Sequence, residues 1–130
     1  VIKGNTYNLL KHSKFGIIKS GTSTLEAAII GLPFVVIYST SKLTYQLGKR
    51  LVKINNIAMP NIVAEKTIVR EFIQDEVNAD MISQYIEKLL QDEQSIEVIK
   101  NELNKVKLKL GSKDASKNAA RIILSMIDET

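Results

Sequence analysis

The sequence has no cysteine and no tryptophan, one histidine, two prolines and three phenylalanines. Without cysteine there is no thiolate nucleophile, cysteine zinc site, iron–sulfur cluster or disulfide framework. The absence fits a reducing compartment. The single histidine, His12, excludes a multi-histidine metal centre and leaves an imidazole catalyst without a second histidine. Aromatic residues make up 5% of the chain. No stretch interleaves them with basic residues, as a base-stacking nucleic-acid surface requires, so no nucleic-acid partner is expected. No apolar run approaches the ~20 residues of a membrane span, and the longest is broken at Gly31-Leu32-Pro33. Acidic residues are missing altogether from Ala27 to Ala64.

What is present is ordinary for a globular chain. There are 130 residues, 45% hydrophobic and 25% charged, enough for one domain or most of one. The chain opens on Val1 and reads as a piece of a longer protein. Its charge is divided unevenly. Residues 1–64 carry eight Lys/Arg and one acid, Glu26; residues 65–130 carry ten Lys/Arg against thirteen acids. A basic half suits an anionic partner such as nucleotide phosphates or an anionic membrane surface.

The pattern predicts an α/β fold. A short helix is expected over Thr6–His12 and a buried strand over Phe15–Lys19. A helix from Ser23 to Ile30 should stop at Gly31 with Pro33 beyond it. Phe34–Tyr38, rich in β-branched and aromatic residues, predicts a second buried strand. Two strands joined by a helix make a parallel βαβ unit. Lys42 to Lys53 predicts a basic amphipathic helix, with leucines at spacing four. Asn55 to Ala64 reads as extended or looped, hinged at Pro60-Asn61. Thr67 to Gln74 fits a short helix or a strand and turn equally well. Three helices follow: one capped by Asn78, one over Ser95–Leu110, and one opened by Ser112 or Asp114. The expected organisation is an α/β nucleotide-sugar-binding portion over residues 1–76 and C-terminal helices over 77–130.

The segment that suggests chemistry is Ser20-Gly21-Thr22-Ser23-Thr24-Leu25-Glu26. It lies between the first strand and its helix, at the carboxyl end of a parallel strand, where open α/β sheets bind ligands. Gly21 allows close backbone approach, and free amides at a helix start suit a phosphate. Three hydroxyls, of Thr22, Ser23 and Thr24, stand beside them. The pattern is neither a Walker loop nor Gly-x-Gly-x-x-Gly. Glu26 has two readings: Ser23-x-x-Glu26 matches a capping box, and an acid beside a phosphate turn is placed to accept from ribose hydroxyls.

This run, followed by Gly31-Leu32-Pro33-Phe34-Val35-Val36-Ile37-Tyr38, Leu43-Thr44-Tyr45, Lys49-Arg50-Leu51-Val52-Lys53 and Pro60-Asn61-Ile62, closely resembles the C-terminal domain of the lipid-A-disaccharide synthases. The likeness runs in register from about Val1 to Glu76. It implies a GT-B-type glycosyltransferase with two Rossmann-like domains, of which the N-terminal acceptor domain, with the general base, is absent from this chain. The implied reaction transfers diacylglucosamine from its UDP derivative to diacylglucosamine 1-phosphate. It inverts the anomeric centre, forms a β-1,6-linked disaccharide lipid and releases UDP. By the same resemblance Ser20, Gly21, Thr22, Ser23 and Thr24 face the pyrophosphate, Glu26 the ribose, and Asn61 the reacting centre. Lys49, Arg50, Lys66 and Arg70 are implied as phosphate or membrane contacts. No metal and no cofactor are expected. The implied partners are the UDP-linked donor, an anionic glycolipid acceptor, an anionic membrane surface and a second copy in a homodimer. The implied location is cytoplasmic, peripheral on the inner face of the inner membrane.

After Pro-Asn the family usually has a small residue, Gly, Arg and Glu; here Ala64-Glu65-Lys66-Thr67 stands instead. Glu65 takes the glycine position and Lys66 the arginine position. Lysine lacks the planar fork of arginine, and Arg70 would compensate from the next turn if this segment were helical. Two other readings are open. One is another UDP-sugar enzyme of similar fold, such as the peptidoglycan N-acetylglucosaminyltransferase or the UDP-N-acetylglucosamine 2-epimerase. The other is a basic membrane- or nucleic-acid-binding module without chemistry.

Overall fold

Three parallel strands lie in sequence order and are flanked by helices. The computed structural model describes residues 3–41, 44–45, 56–111 and 115–128. Strands β1 (Gly16–Lys19), β2 (Phe34–Tyr38) and β3 (Glu71–Ile73) form the sheet, with β2 central. Gly16 pairs with Phe34 and Lys19 with Ile37; Val36 pairs with Glu71 and Tyr38 with Ile73. Six α-helices are present among the described residues: α1 (Thr6–His12), α2 (Thr22–Ile30), α3 (Met59–Ala64), α4 (Ala79–Gln91), α5 (Glu93–Lys109) and α6 (Ala115–Asp128). This is the α/β, Rossmann-like parallel sheet with a helical flank that the sequence pattern predicts.

The core forms where α2 and α5 meet the sheet. Ala27 and Ala28 let α2 approach closely, and Phe34, Val36, Leu103 and Ile99 fill the space with Ile18, Leu32, Val69 and Leu89. Strand β2 has Phe34, Val35 and Val36 buried in succession, so both its faces are covered. Strand β1 differs from the expected fully buried strand: Ile18 is buried, while Ile17 is 55% exposed. It is an edge strand with one open face, as its alternating burial shows. Phe72 meets Tyr85 of α4 edge to face, with centroids 5.7 Å apart, which joins β3 to the helical flank.

The caps explain the element ends. Helix α2 ends on Gly31 at φ 81°, with Leu32 N–H donating to Ala27 O and Gly31 N–H to Ala28 O. That is a Schellman motif. Asn78 caps α4 through the amides of Asp80 and Met81. Asp92 caps α5 by accepting from Ser95 N–H and Ser95 Oγ. These bonds, the side-chain one foremost, hold the Asp92 carboxyl below its ordinary value.

Two expectations are corrected. Met59–Ala64 is a helix, not an extended hinge. Pro60 lies in its first turn, where a missing N–H leaves no bond unmade. The undecided segment before Gln74 resolves as β3 followed by a 3-10 turn over Gln74–Glu76. The Lys42–Lys53 helix falls, apart from Thr44 and Tyr45, outside the described residues, as do the residues that open α6. Along α6 the side chains of Ile122, Ile123, Leu124, Met126 and Ile127 are exposed. No described helix is long and apolar enough to cross a membrane.

Candidate functional site

The turn from β1 into α2 lies at the carboxyl edge of the sheet. Ser20 N–H donates to Ile37 O and so extends the β1–β2 ladder by one residue. Gly21 follows at φ 154°, ψ −168°, as N-cap of α2. That region is essentially restricted to glycine, and a Cβ built there would meet no atom within 4 Å. The glycine is therefore required by backbone conformation, and the space above it is open. The amides of Thr22 and Ser23 stand in the first turn of α2, where no intrahelical acceptor exists. Thr22 and Gly21 are exposed.

The three hydroxyls expected here have different fates. Thr22 points outward, while Ser23 Oγ lies within 3.4 Å of Lys19 O. Thr24 is fully buried and its hydroxyl donates to Gly21 O at 2.7 Å. The helix begins at Thr22, one residue earlier than expected, and Thr24 lies on its inner face with Ala27 and Ala28, three and four residues further on. The Thr24 side chain braces the turn from beneath. The same shift removes the capping box. Ser23 is inside the helix rather than at its cap, and α2 has no side-chain cap bond. Glu26 is exposed, and no hydrogen bond or ion pair to another described residue occupies it.

Asn61 is buried as well. Its side chain has no exposed surface. Nδ2 donates to Val69 O and to Glu71 Oε1, both at 2.8 Å. Oδ1 accepts from Ile68 N–H at 2.8 Å and Val69 N–H at 3.0 Å. Two donors and two lone pairs are all occupied, and Asn61 organises the chain between α3 and β3. Lys66 bonds Glu102 at 2.6 Å. Arg70 precedes β3 and is not helical, so it does not replace the arginine of the loop. It pairs with Glu76 at 3.0 Å, and its guanidinium lies 5.3 Å from the Phe72 ring centre. Lys49 and Arg50 lie outside the described residues. His12 Nδ1 donates to Asn8 O one turn back, a local helix-end contact.

Two residues of β3 and its end were not foreseen. Glu71 is 8% exposed, and its carboxylate accepts from Ile57 N–H, Ala58 N–H and Asn61 Nδ2. Gln74, at φ 55°, accepts from Thr40 N–H and donates to Thr40 O. The charged pair Arg70-Glu71 standing between the apolar residues Val69 and Phe72 was the signal in the sequence.

A parallel sheet with an open glycine turn at its carboxyl edge, leading into a helix, is the arrangement of a nucleotide-binding α/β domain. The lipid-A-disaccharide synthetase family model matches residues 1–126. The lipid-A-disaccharide synthase of Persephonella marina is 42% identical over 118 residues, covering 91% of this chain and 31% of the relative. That of Trichlorobacter lovleyi is 38% identical over 130 residues, covering 100% of this chain and 34% of the relative. That of Geobacter sulfurreducens is 41% identical over 127 residues, with 98% and 33% covered. The chain belongs to the lipid-A-disaccharide synthetase family, and it spans about a third of the length of the curated relatives it matches.

Proposed function

We propose that this chain is the donor-binding part of a lipid A glycosyltransferase. The whole protein would transfer diacylglucosamine from its UDP derivative to diacylglucosamine 1-phosphate with inversion and release UDP. The observation that carries the reading is the Gly21 turn. Exposed Gly21 stands at the carboxyl edge of the sheet with open space where a side chain would be, and the exposed Glu26 carboxylate lies one turn along α2.

In this reading the pyrophosphate lies against the amides of Gly21, Thr22 and Ser23 with the Thr22 hydroxyl. A preorganised set of donors stabilises the charge that grows on the departing UDP. Glu26 accepts from the ribose hydroxyls. The acceptor and the general base come from the part of the protein outside this chain, so the chain alone binds UDP without transferring sugar. Both substrates are lipids, and the basic stretch that includes Lys49 and Arg50 would bring the enzyme to an anionic membrane on its cytoplasmic side.

Calorimetric titration of the full-length protein tests this. UDP should bind more tightly than ADP or free pyrophosphate, and the full-length protein should form the disaccharide lipid from the two substrates while the isolated chain forms none. Equal affinity for UDP and pyrophosphate would remove the nucleotide from the reading.

A further inference from the structure

Glu71 is a buried carboxylate bonded by three donors, and no described Lys or Arg pairs with it. Such a group is costly to bury unless its lone pairs are met. Here they are met by Ile57 N–H, Ala58 N–H and the Asn61 amide, at 2.8 to 3.1 Å. The carboxylate therefore fixes the backbone of residues 57 and 58 against the end of the sheet. Ile57 then offers its carbonyl to the Ser20 hydroxyl at 3.4 Å. Ser20 is the first residue of the open turn. A continuous chain of bonds thus runs from the start of β3, through the segment before α3, to the turn after β1.

We propose that Glu71 is a positioning residue for the donor turn, acting through Ile57 on Ser20; this rests on the donor-site reading above. The split of its bonds gives a specific probe. Oε1 takes Ala58 N–H and Asn61 Nδ2, while Ile57 N–H is shared between Oε1, at 3.1 Å, and Oε2, at 3.0 Å, and is the one donor that Oε2 takes. In Glu71→Gln the side-chain oxygen can keep the first two, and the new NH2 then confronts the Ile57 N–H. Two donors facing each other push Ile57, the residue that touches the turn, away and leave it only the longer half of its shared bond, while the Asn61 network that holds the fold is retained.

The test uses the full-length protein with 15N-labelled serine and glycine. In the absence of nucleotide, E71Q should shift the amide resonances of Ser20 and Gly21. It should weaken UDP by about tenfold, the scale expected when binding groups lose their support. In a Ser20→Ala background E71Q should have no further effect on UDP, because the link is already cut. Leu103→Ala, a core change that lowers stability without cutting any bond of this chain, should do none of this. Unmoved Ser20 and Gly21 resonances, or an equal loss of UDP affinity in L103A, would overturn the proposal. If E71Q does not fold, Glu71→Asp, which withdraws the carboxylate by one methylene, should show the same shifts, and their absence would overturn it too. The resonance shifts need no ligand. Failure of the unaltered protein to bind UDP would thus refute the donor reading and leave the shifts to judge the positioning role.

Discussion

Glu26 is exposed on the first turns of α2 without a partner among the described residues, and α2 begins without a side-chain cap. Its carboxylate is thus available to a ligand and contributes little to the fold. Glu26→Ala should change stability by no more than about 0.5 kcal/mol, the range of surface substitutions. It should weaken UDP while leaving pyrophosphate almost unchanged. Calorimetry with both ligands and a thermal melt check this; a fall in stability with equal loss of both ligands would show that Glu26 serves the helix. The turn itself was legible in the sequence, because a glycine with hydroxyl residues between an apolar run and a helix has few other uses. The bonding of the Thr24 and Asn61 side chains was not. Each depends on which way a side chain faces, and that is decided by the face on which α2 packs and by carbonyls contributed from the turn and from the chain entering β3.

At the scale of elements, α2 and α3 end in the same way. Lys66 N–H donates to Asn61 O and Glu65 N–H to Ile62 O, the same Schellman pattern as at Gly31. The residue in the left-handed position is glycine in α2, at φ 81°, and glutamate in α3, at φ 59°. A side chain there costs roughly 1–2 kcal/mol. Glycine avoids that cost but loses more freedom on folding, by roughly 0.5–1 kcal/mol. Glu65→Gly should therefore stabilise the protein by up to about 1 kcal/mol, read as a raised urea midpoint at unchanged slope. A lower midpoint would mean that the Glu65 side chain makes a compensating contact. The glycine that the resemblance leads one to expect here would suit the left-handed conformation. Most element boundaries followed from periodicity and stop signals. Helix α3 did not, because six residues with a proline and an asparagine look like a turn until the Asn61 side chain is buried against β3.

Across the whole molecule, the sheet end and the helical flank are joined by an ionic contact as well as by the core. Lys66, just beyond α3, bonds Glu102 of α5 at 2.6 Å, and Lys105 bonds the same carboxylate at 2.7 Å. The two lysines, Lys105 foremost, hold the Glu102 carboxyl below its ordinary value of 4.5. A carboxyl depressed in the folded state contributes stability that is present above its unfolded value and lost as pH falls through the folded one. The contribution is therefore complete at pH 7 and disappears on acidification below about 4.5. Both lysines are more than half exposed, so salt screens the contact. Glu102→Gln should lower the melting temperature at pH 7, more at low than at high ionic strength. The gap between the parent and E102Q should close as pH falls past the carboxyl's titration. A protonated Glu102 and the amide that replaces it are then alike, since neither carries a charge for Lys66 or Lys105 to meet. Melting curves from about pH 7 to about pH 3 at two salt concentrations check this, the range being set to span the ordinary carboxyl titration. A gap that stays constant across that range, or none at pH 7, would mean that the charge of Glu102 does not join the two parts of the fold, which the core alone would then hold together.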